Sequence, residues 1–404
     1  VIGVPASRLL TSKPRVPGRL LREAPGTVSV TAVVRAICGG GAPSARATTV
    51  LLPADGATDA LRGPRRSGTA GSPRPSDPSR SSRGGRGARR VSAVRQLEIS
   101  DLITAVDPHT GRRLPVQRSE VMRQLREAGD ERAARIVARM PTDEDGVLDP
   151  YAVDGLLVLV HTELQRLSEE LRIDERLVHV LGPLLAAIRA TTGRSGPFRL
   201  VDVGCGLGYL VRRLAATGAL GEDVELVGVD LDGTLVGEAE RLALADGLDC
   251  RFVHGNAFDL PEAATVYVST GVLHHFRGPA LGAFFQAQAA STALAFCHFD
   301  IAANRLAPIG AWIFHRARMR HPLGRHDGVV SALRAHDDET LLRAASVPGI
   351  RALVYEPRGV SNPFCTTLRP VIGVRPDLEE PLRRSLGRGA RRLVGPEHFA
   401  VRAR

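Results

Sequence analysis

Apolar positions divide this chain into segments with two different periods. Leu157, Val160, Leu164, Leu167 and Leu171 recur at steps of 3, 4, 3 and 4, the stripe of a helix with one buried face. Asp149-Pro150 stands just before it and supplies an N-cap and a first-turn proline. Leu177, Leu181, Leu184 and Ile188 repeat the pattern, with a break predicted at Gly182-Pro183. An earlier helix is predicted over Glu120–Met140. From residue 198 onward short, continuous apolar runs take over, predicting strands at Arg199–Val203, Glu225–Val229, Cys250–His254, Thr265–Ser269 and Ala293–Phe299. The helices between them are predicted to end near Gly218, Gly247 and Ala290. Runs that are apolar on both faces suit a parallel sheet covered on two sides. Residues 301–346 read as a helical insertion, and Arg351–Tyr355 and Thr366–Val374 as two further strands. There is no internal repeat.

Composition changes the picture mainly at the N-terminus. The chain has 404 residues and a formal net charge of +11. Residues 1–95 alone hold 16 Arg and one Lys against Glu23, Asp55, Asp59 and Asp77, so the remainder is close to neutral. That distribution argues against reading the whole chain as a nucleic-acid binder. The Arg/Gly/Ser/Pro-rich extension has too little apolar surface to offset chain entropy, and disorder is expected. It reads as a nonfunctional extension, as an arginine-rich transit segment, or as a charged recruiter of RNA or acidic partners. Residues 381–404 carry seven Arg against one Glu and are expected to form a frayed basic tail. The five cysteines show no C-x-x-C pair, which fits free thiols in a reducing, cytoplasmic setting. No run of 18 apolar residues predicts a membrane span.

The chemistry is concentrated in Leu200-Val-Asp-Val-Gly-Cys-Gly-Leu-Gly-Tyr209 and in Leu226-Val-Gly-Val-Asp230. Glycines 204, 206 and 208 follow an apolar β-branched run, so backbone can approach a ligand closely there. Asp230 ends the next run, where a carboxylate can accept from both hydroxyls of a ribose. The dinucleotide pattern G-x-G-x-x-G fails in either register, and no Gly-Lys-Ser/Thr follows to make a phosphate loop. What remains, D-x-G-x-G-x-G, resembles the first motif of class I S-adenosylmethionine-dependent methyltransferases. The resemblance continues in order through Asp230, Phe252–Pro261 and Val266–Phe276, whose Leu-His-His-Phe ending is frequent in small-molecule members. Asn256 stands where the family more often has Asp, and Ala264-Thr265 replace an acidic residue that often opens the fourth strand.

The resemblance implies an α/β fold: a Rossmann-like, doubly wound, mostly parallel seven-stranded sheet, with the strands after residue 350 as its closing hairpin. It implies a helical N-terminal segment over 96–195, covering the ligand site, making a dimer contact or packing on the sheet. The methyltransferase domain would span 196–380, with 301–346 as insertion or lid. S-adenosylmethionine is the implied cofactor, held by Asp202, Gly204, Cys205, Gly206, Gly208, Asp230, Leu231, Asn256, Ala257 and Thr270. The implied acceptor is a small molecule. RNA methylation through the basic ends and a noncatalytic binding role stand as alternatives, and the oligomeric state stays open.

Methyl transfer to oxygen or nitrogen also calls for a base near neutrality, the natural work of histidine. His275, in the His274-His275 pair after the fourth strand, is the favoured candidate. His326 in Arg325-His326-Asp327-Gly328 is the second, on a turn expected at Asp-Gly. Asp300 follows the fifth strand at the ligand edge, but no further carboxylates accompany it at convincing spacing, so no metal is expected.

Overall fold

The fold is described here from a computed structural model covering residues 96–107, 112–355 and 368–400, with residues 399 and 400 described by their backbone alone. The expectations for residues 1–95, for 401–404 and for Thr366 and Thr367 lie outside these residues. The chain opens with helices α1 (Ile99–Ile103), α2 (Arg118–Glu127), α3 (Glu131–Val137), α4 (Pro150–Glu170) and α5 (Ile173–Thr192). Asp149 caps α4 by accepting from the Tyr151 and Ala152 amides, a bond that satisfies amides the helix itself leaves free.

Two helix expectations need correction. The single helix predicted over Glu120–Met140 is split between α2 and α3. Gly129 takes φ +82 and Asp130 starts α3 by accepting from the Ala133 amide at 2.8 Å. Conversely, α5 runs unbroken through Pro183. Proline costs the helix one hydrogen bond, but Leu181, Leu184, Leu185 and Ile188 are completely buried around it in the main core, and that burial outweighs the loss.

Alternating strands and helices follow: β1 (Phe198–Val203), α6 (Tyr209–Thr217), β2 (Val224–Asp230), α7 (Gly233–Ala245), β3 (Arg251–His254), β4 (Val266–Thr270), α8 (Pro279–Ala289) and β5 (Ala295–Ile301). Then come α9 (Ala307–Arg318), α10 (Pro322–Arg334), α11 (Asp338–Ala345), β6 (Arg351–Tyr355), β7 (Leu368–Val374), α12 (Pro376–Leu386), β8 (Leu393–Val394) and α13 (Glu397–Ala400). The sheet order is β3-β2-β1-β4-β5-β7-β6-β8. The first five strands are parallel, and β7 inserts antiparallel between β5 and β6. The sheet is therefore the expected Rossmann-like one with an eighth, two-residue strand added, β8 pairing with β6.

Alternate residues of β1 feed opposite cores. Leu200 packs with residues of α5, α6 and α12, while Val201 and Val203 pack with residues of α8 and α11. A sheet buried on both faces is what the uninterrupted apolar runs required. The order reverses between β1 and β4, so the carboxyl ends of β1, β2, β4 and β5 border a crevice where open α/β sheets bind ligands.

The expected tail at 381–404 is not a tail over its described part. Leu382 is fully buried in α12, and Glu379 bridges Arg351 and Arg383. The amphipathic spacing of Leu378 and Leu382 was hidden by the surrounding arginines. The turn expected at Asp327-Gly328 is also absent, because both residues lie inside α10. Gly328 serves helix contact instead: a Cβ there would fall 2.1 Å from the His315 ring.

Candidate active site

At the end of β1 the chain doubles over the end of β2. The amides of Gly204 and Cys205 both donate to the Val229 carbonyl, at 2.7 and 3.1 Å. The next amide, Gly206, donates to Asp230 Oδ2 at 2.7 Å, and the Asp232 amide donates to Oδ1 at 2.9 Å. Asp230 is thus fixed by backbone, yet each carboxylate oxygen retains capacity for a further donor. Gly206 takes φ +54, and a Cβ there would lie 2.8 Å from the ring of His161. Gly208 takes φ +68, and its Cβ would lie 2.2 Å from Phe252.

A cavity of about 600 Å³ opens beside this turn. Asp202, Gly204, Cys205, Gly206, Asp230, Leu231, Asn256, Ala257 and Thr270 all line it. Gly208 does not; its lack of a side chain lets α6 close on Phe252 and Ala239. Two buried atoms lining the cavity, Asp202 Oδ1 and Thr270 Oγ1, have no hydrogen-bond partner in the protein. Burial, with Asp230 nearby, pushes the Asp202 carboxyl up to about 8. Burial raises Asp230 as well, against the two amides that lower it. Orphaned acceptors and strained carboxylates at a concave site are what a ligand with hydroxyl and ammonium donors relieves. The residues present therefore fit S-adenosylmethionine, whose ribose and amino-acid end supply such donors.

The helical segment closes the site from the other side. Leu157, Val160, His161 and Leu164 of α4 line the cavity. His161 Nδ1 donates to the Leu157 carbonyl at 2.9 Å, which fixes the ring close enough to Asp230 to act on its carboxylate. Sequence reading missed His161. Its signal was a polar residue four positions after Leu157, within the apolar stripe.

The wall built by the 3-10 turn Leu273–His275 carries a second set of ionisable groups. His274 Nδ1 lies 2.8 Å from Asp300 Oδ1, and the His274 amide donates to Asp300 Oδ2, also at 2.8 Å. His275 Nδ1 pairs with Asp101 Oδ1 at 2.8 Å. Glu98 Oε1 lies 3.7 Å from His274 Nε2, and its Oε2 lies 3.6 Å from His275 Nδ1. Arg334 ties the group together, donating to the carbonyls of His274 and His275 and to Asp101 at 2.6 Å. Burial acts most strongly on His275 and would lower it, but Asp101 and Glu98 outweigh burial and hold it up at about 9. Burial raises Glu98.

Asp300 therefore has carboxylate company that spacing in sequence hid, since Glu98 and Asp101 come from about 200 residues away. Glu98, His274 and His275 offer donor atoms within 4.8 Å of one another, a set of the kind that takes a divalent cation. The guanidinium of Arg334, 3.3 Å from Glu98, already supplies positive charge at that point.

His326 is placed otherwise than expected. It does not line the cavity. Its nitrogens meet Asp327 Oδ1 at 2.6 Å and Asp130 Oδ2 at 2.8 Å, so the ring clasps α10 to the start of α3. Its neighbour Asp327 does reach the cavity and accepts from the amides of Ile99 and Ser100.

Strand order, glycine turn and carboxylate together define a nucleoside-binding α/β domain. Residues 200–293, about a quarter of the chain, match the family model described as a methyltransferase domain. Over this segment the chain is similar to the class I S-adenosylmethionine-dependent methyltransferases that its motifs resemble. No curated protein matches the chain. Among solved structures, magnesium protoporphyrin IX methyltransferase from Synechocystis PCC 6803 with bound S-adenosylhomocysteine is 19% identical, with 64% of this chain and 100% of that chain covered and a TM-score of 0.34. A structure from work on conversion of a disulfide bond into a thioacetal group during echinomycin biosynthesis is 23% identical, with 47% and 81% covered and a TM-score of 0.33. A SAM-dependent methyltransferase from Aquifex aeolicus is 13% identical, with 50% and 97% covered and a TM-score of 0.33. Scores at this level add nothing to what the strand order establishes.

Proposed function

We propose that the chain transfers a methyl group to oxygen or nitrogen of a small, largely apolar acceptor, with His274 as the base. The carrying observation is one cavity that joins the Asp202–Asp230 wall to the His274–Asp300 pair. Between them the lining is apolar, with Val106, Leu157, Val160, Ile301, Ala311 and Phe314. No Arg or Lys lines it among the described residues, whereas Glu98, Asp101, Asp202, Asp230, Asp232 and Asp327 do. Such a surface repels a phosphate backbone, which supports a small acceptor over RNA.

Asp230 would hold the ribose hydroxyls of the cofactor, and Asp202 and Thr270 its remaining donors. Bound there, S-adenosylmethionine supplies a methyl carbon made electrophilic by its cationic sulfur. Asp300 accepts from His274 Nδ1–H, which fixes the ring with Nε2 beside Glu98, 3.7 Å away, another residue that lines the cavity. Nε2 takes the acceptor's proton as the new bond forms, and the imidazolium then lies between Asp300 and Glu98. His275 holds its proton at neutrality, with a value of about 9, so the base role favoured for it passes to its neighbour. His275 acts as a fixed donor beside Asp101. Holding acceptor and methyl in line supplies several kcal/mol as proximity, and the covering α4 excludes water.

The test is transfer of labelled methyl from S-adenosylmethionine to a small-molecule extract, with RNA as a parallel substrate. Label in a small molecule, lost in Asp230→Ala and His274→Ala, supports the reading. Label only in RNA overturns it.

A further inference from the structure

Helix α9 has two faces of different chemistry. Ala311, Phe314 and His315 point inward and line the cavity. Ile309, Trp312 and Arg316 fall on the opposite face, spaced by three and four. Ile309 is 51% exposed and Trp312 46% exposed, large apolar groups that folding has left in water. Along the segment that carries them the charge is of one sign. Residues 301–326 contain Arg305, Arg316, Arg318, Arg320 and Arg325, three histidines and no Asp or Glu. Arg318 meets Glu170, but the side chains of Arg305, Arg316 and Arg320 form no ion pair among the described residues.

We propose that this outer face of α9 docks on an anionic lipid bilayer. An indole settles at the headgroup level of a membrane, with its apolar body inward and its N–H toward water. Arginines flanking it keep their stems against apolar surface and their guanidiniums among lipid phosphates. The charge complementarity selects this occupant: a stripe holding Trp and Ile inside an acid-free, arginine-bearing segment suits a surface that is negative and apolar just beneath. A second copy of the chain would set these arginines against each other. No helix among the described residues is long and apolar enough to cross a membrane, so the contact is one of lying on the surface. It also places the membrane against the same helix that walls the cavity, which suits an apolar acceptor taken from the bilayer. That last point rests on the proposed function; the docking does not.

Trp312 is the chain's one tryptophan, so its emission reports this face alone. Full-length protein is titrated with phosphatidylcholine vesicles containing phosphatidylglycerol, and separately with phosphatidylcholine alone. Docking gives a blue shift with the anionic vesicles only, and quenching when the acyl chains are brominated. Arg316→Glu with Arg320→Glu should raise the lipid concentration needed at least tenfold while far-UV circular dichroism stays unchanged. Vesicle binding by sedimentation without an emission change would assign the contact to another part of the chain and overturn the proposal. So would equal shifts with neutral vesicles, a shift with RNA instead of lipid, or one that tracks protein concentration without vesicles, which would mean a second copy.

Discussion

Asp300 holds His274 twice, through the ring at Nδ1 and through the backbone amide, both at 2.8 Å. A doubly held imidazole has one orientation and one tautomer, with Nε2 left for chemistry. His274→Ala is therefore expected to lower kcat by about 10²–10⁴, the usual worth of a positioned general base. Asp300→Asn should lower kcat less, and shift the pH profile, by removing the acceptor that fixes the tautomer. Calorimetry should give wild-type cofactor affinity for both variants. A kcat for His274→Ala within threefold of wild type would remove His274 from the reaction.

At the other wall, Asp230 is expected to carry most of the cofactor's sugar contact. Asp230→Ala should weaken S-adenosylmethionine about 10- to 100-fold, as expected for loss of hydrogen bonds to a charged acceptor. Asp202→Asn separates charge from shape. The buried carboxyl has a value of about 8 against an ordinary 3.8, so the folded chain loses stability as pH rises from about 3.8 through about 8, and the penalty is complete above that. The amide variant should melt higher than wild type at pH 9, without ligand, and keep only a small part of that advantage at pH 5. Equal melting at both pH values would show that Asp202 is not strained.

The sequence made the cofactor wall legible because one local motif builds it. Gly204, Gly206 and Asp230 are brought together by a strand, a turn and the next strand, and spacing along the chain predicts that geometry. The base wall was not legible, because Glu98 and Asp101, His274, Asp300 and Arg334 come from four separate segments. The choice between His274 and His275 depends on which ring faces Asp300 and which faces Asp101, and adjacency in sequence carries no such information. His326 misled because Asp-Gly usually marks a turn. Here close packing of His315 on Gly328 demanded the glycine, and the helix ran on. The Gly182-Pro183 break failed for a related reason: tertiary burial of α5 overrode a local propensity.

Gly208 tests the packing half of the glycine turn. Gly208→Ala meets a left-handed backbone, costing about 1–2 kcal/mol, and forces a methyl into Phe252, costing about 1–3 kcal/mol more. Gly218 has a similar φ of +58 but open space around it, so Gly218→Ala should pay only the backbone cost. Thermal unfolding should rank wild type above Gly218→Ala, and that above Gly208→Ala. The reverse order of the two variants would mean that Phe252 yields freely.

The contact of the α1 segment with the base wall should depend on pH. His275 faces Asp101 and Glu98, with the tilted His274 ring 4.4 Å away and Arg334 adjoining both acids. Its value of about 9 exceeds the ordinary histidine value of 6.5. A raised value means the folded chain holds the proton more tightly, so the stabilisation is complete below about 6.5 and is lost as pH rises through about 9. Asp101 works in the opposite sense. Burial is the largest influence on it and would raise it, but His275 and Arg334 bring it down to about 2, so its contribution is lost only as pH falls toward that value. The loss on the alkaline side therefore falls to His275. The ring is about a third exposed and partly screened, so the effect should be modest, roughly 2–4 °C in Tm for about 1 kcal/mol. The Tm difference between wild type and His275→Gln should be largest near pH 6 and shrink to nothing by pH 10. Amide exchange at Ile99–Ile103, corrected for intrinsic rate, should quicken over the same interval in wild type alone. A Tm difference constant from pH 6 to pH 10 would show that the contact does not rest on the charged imidazole.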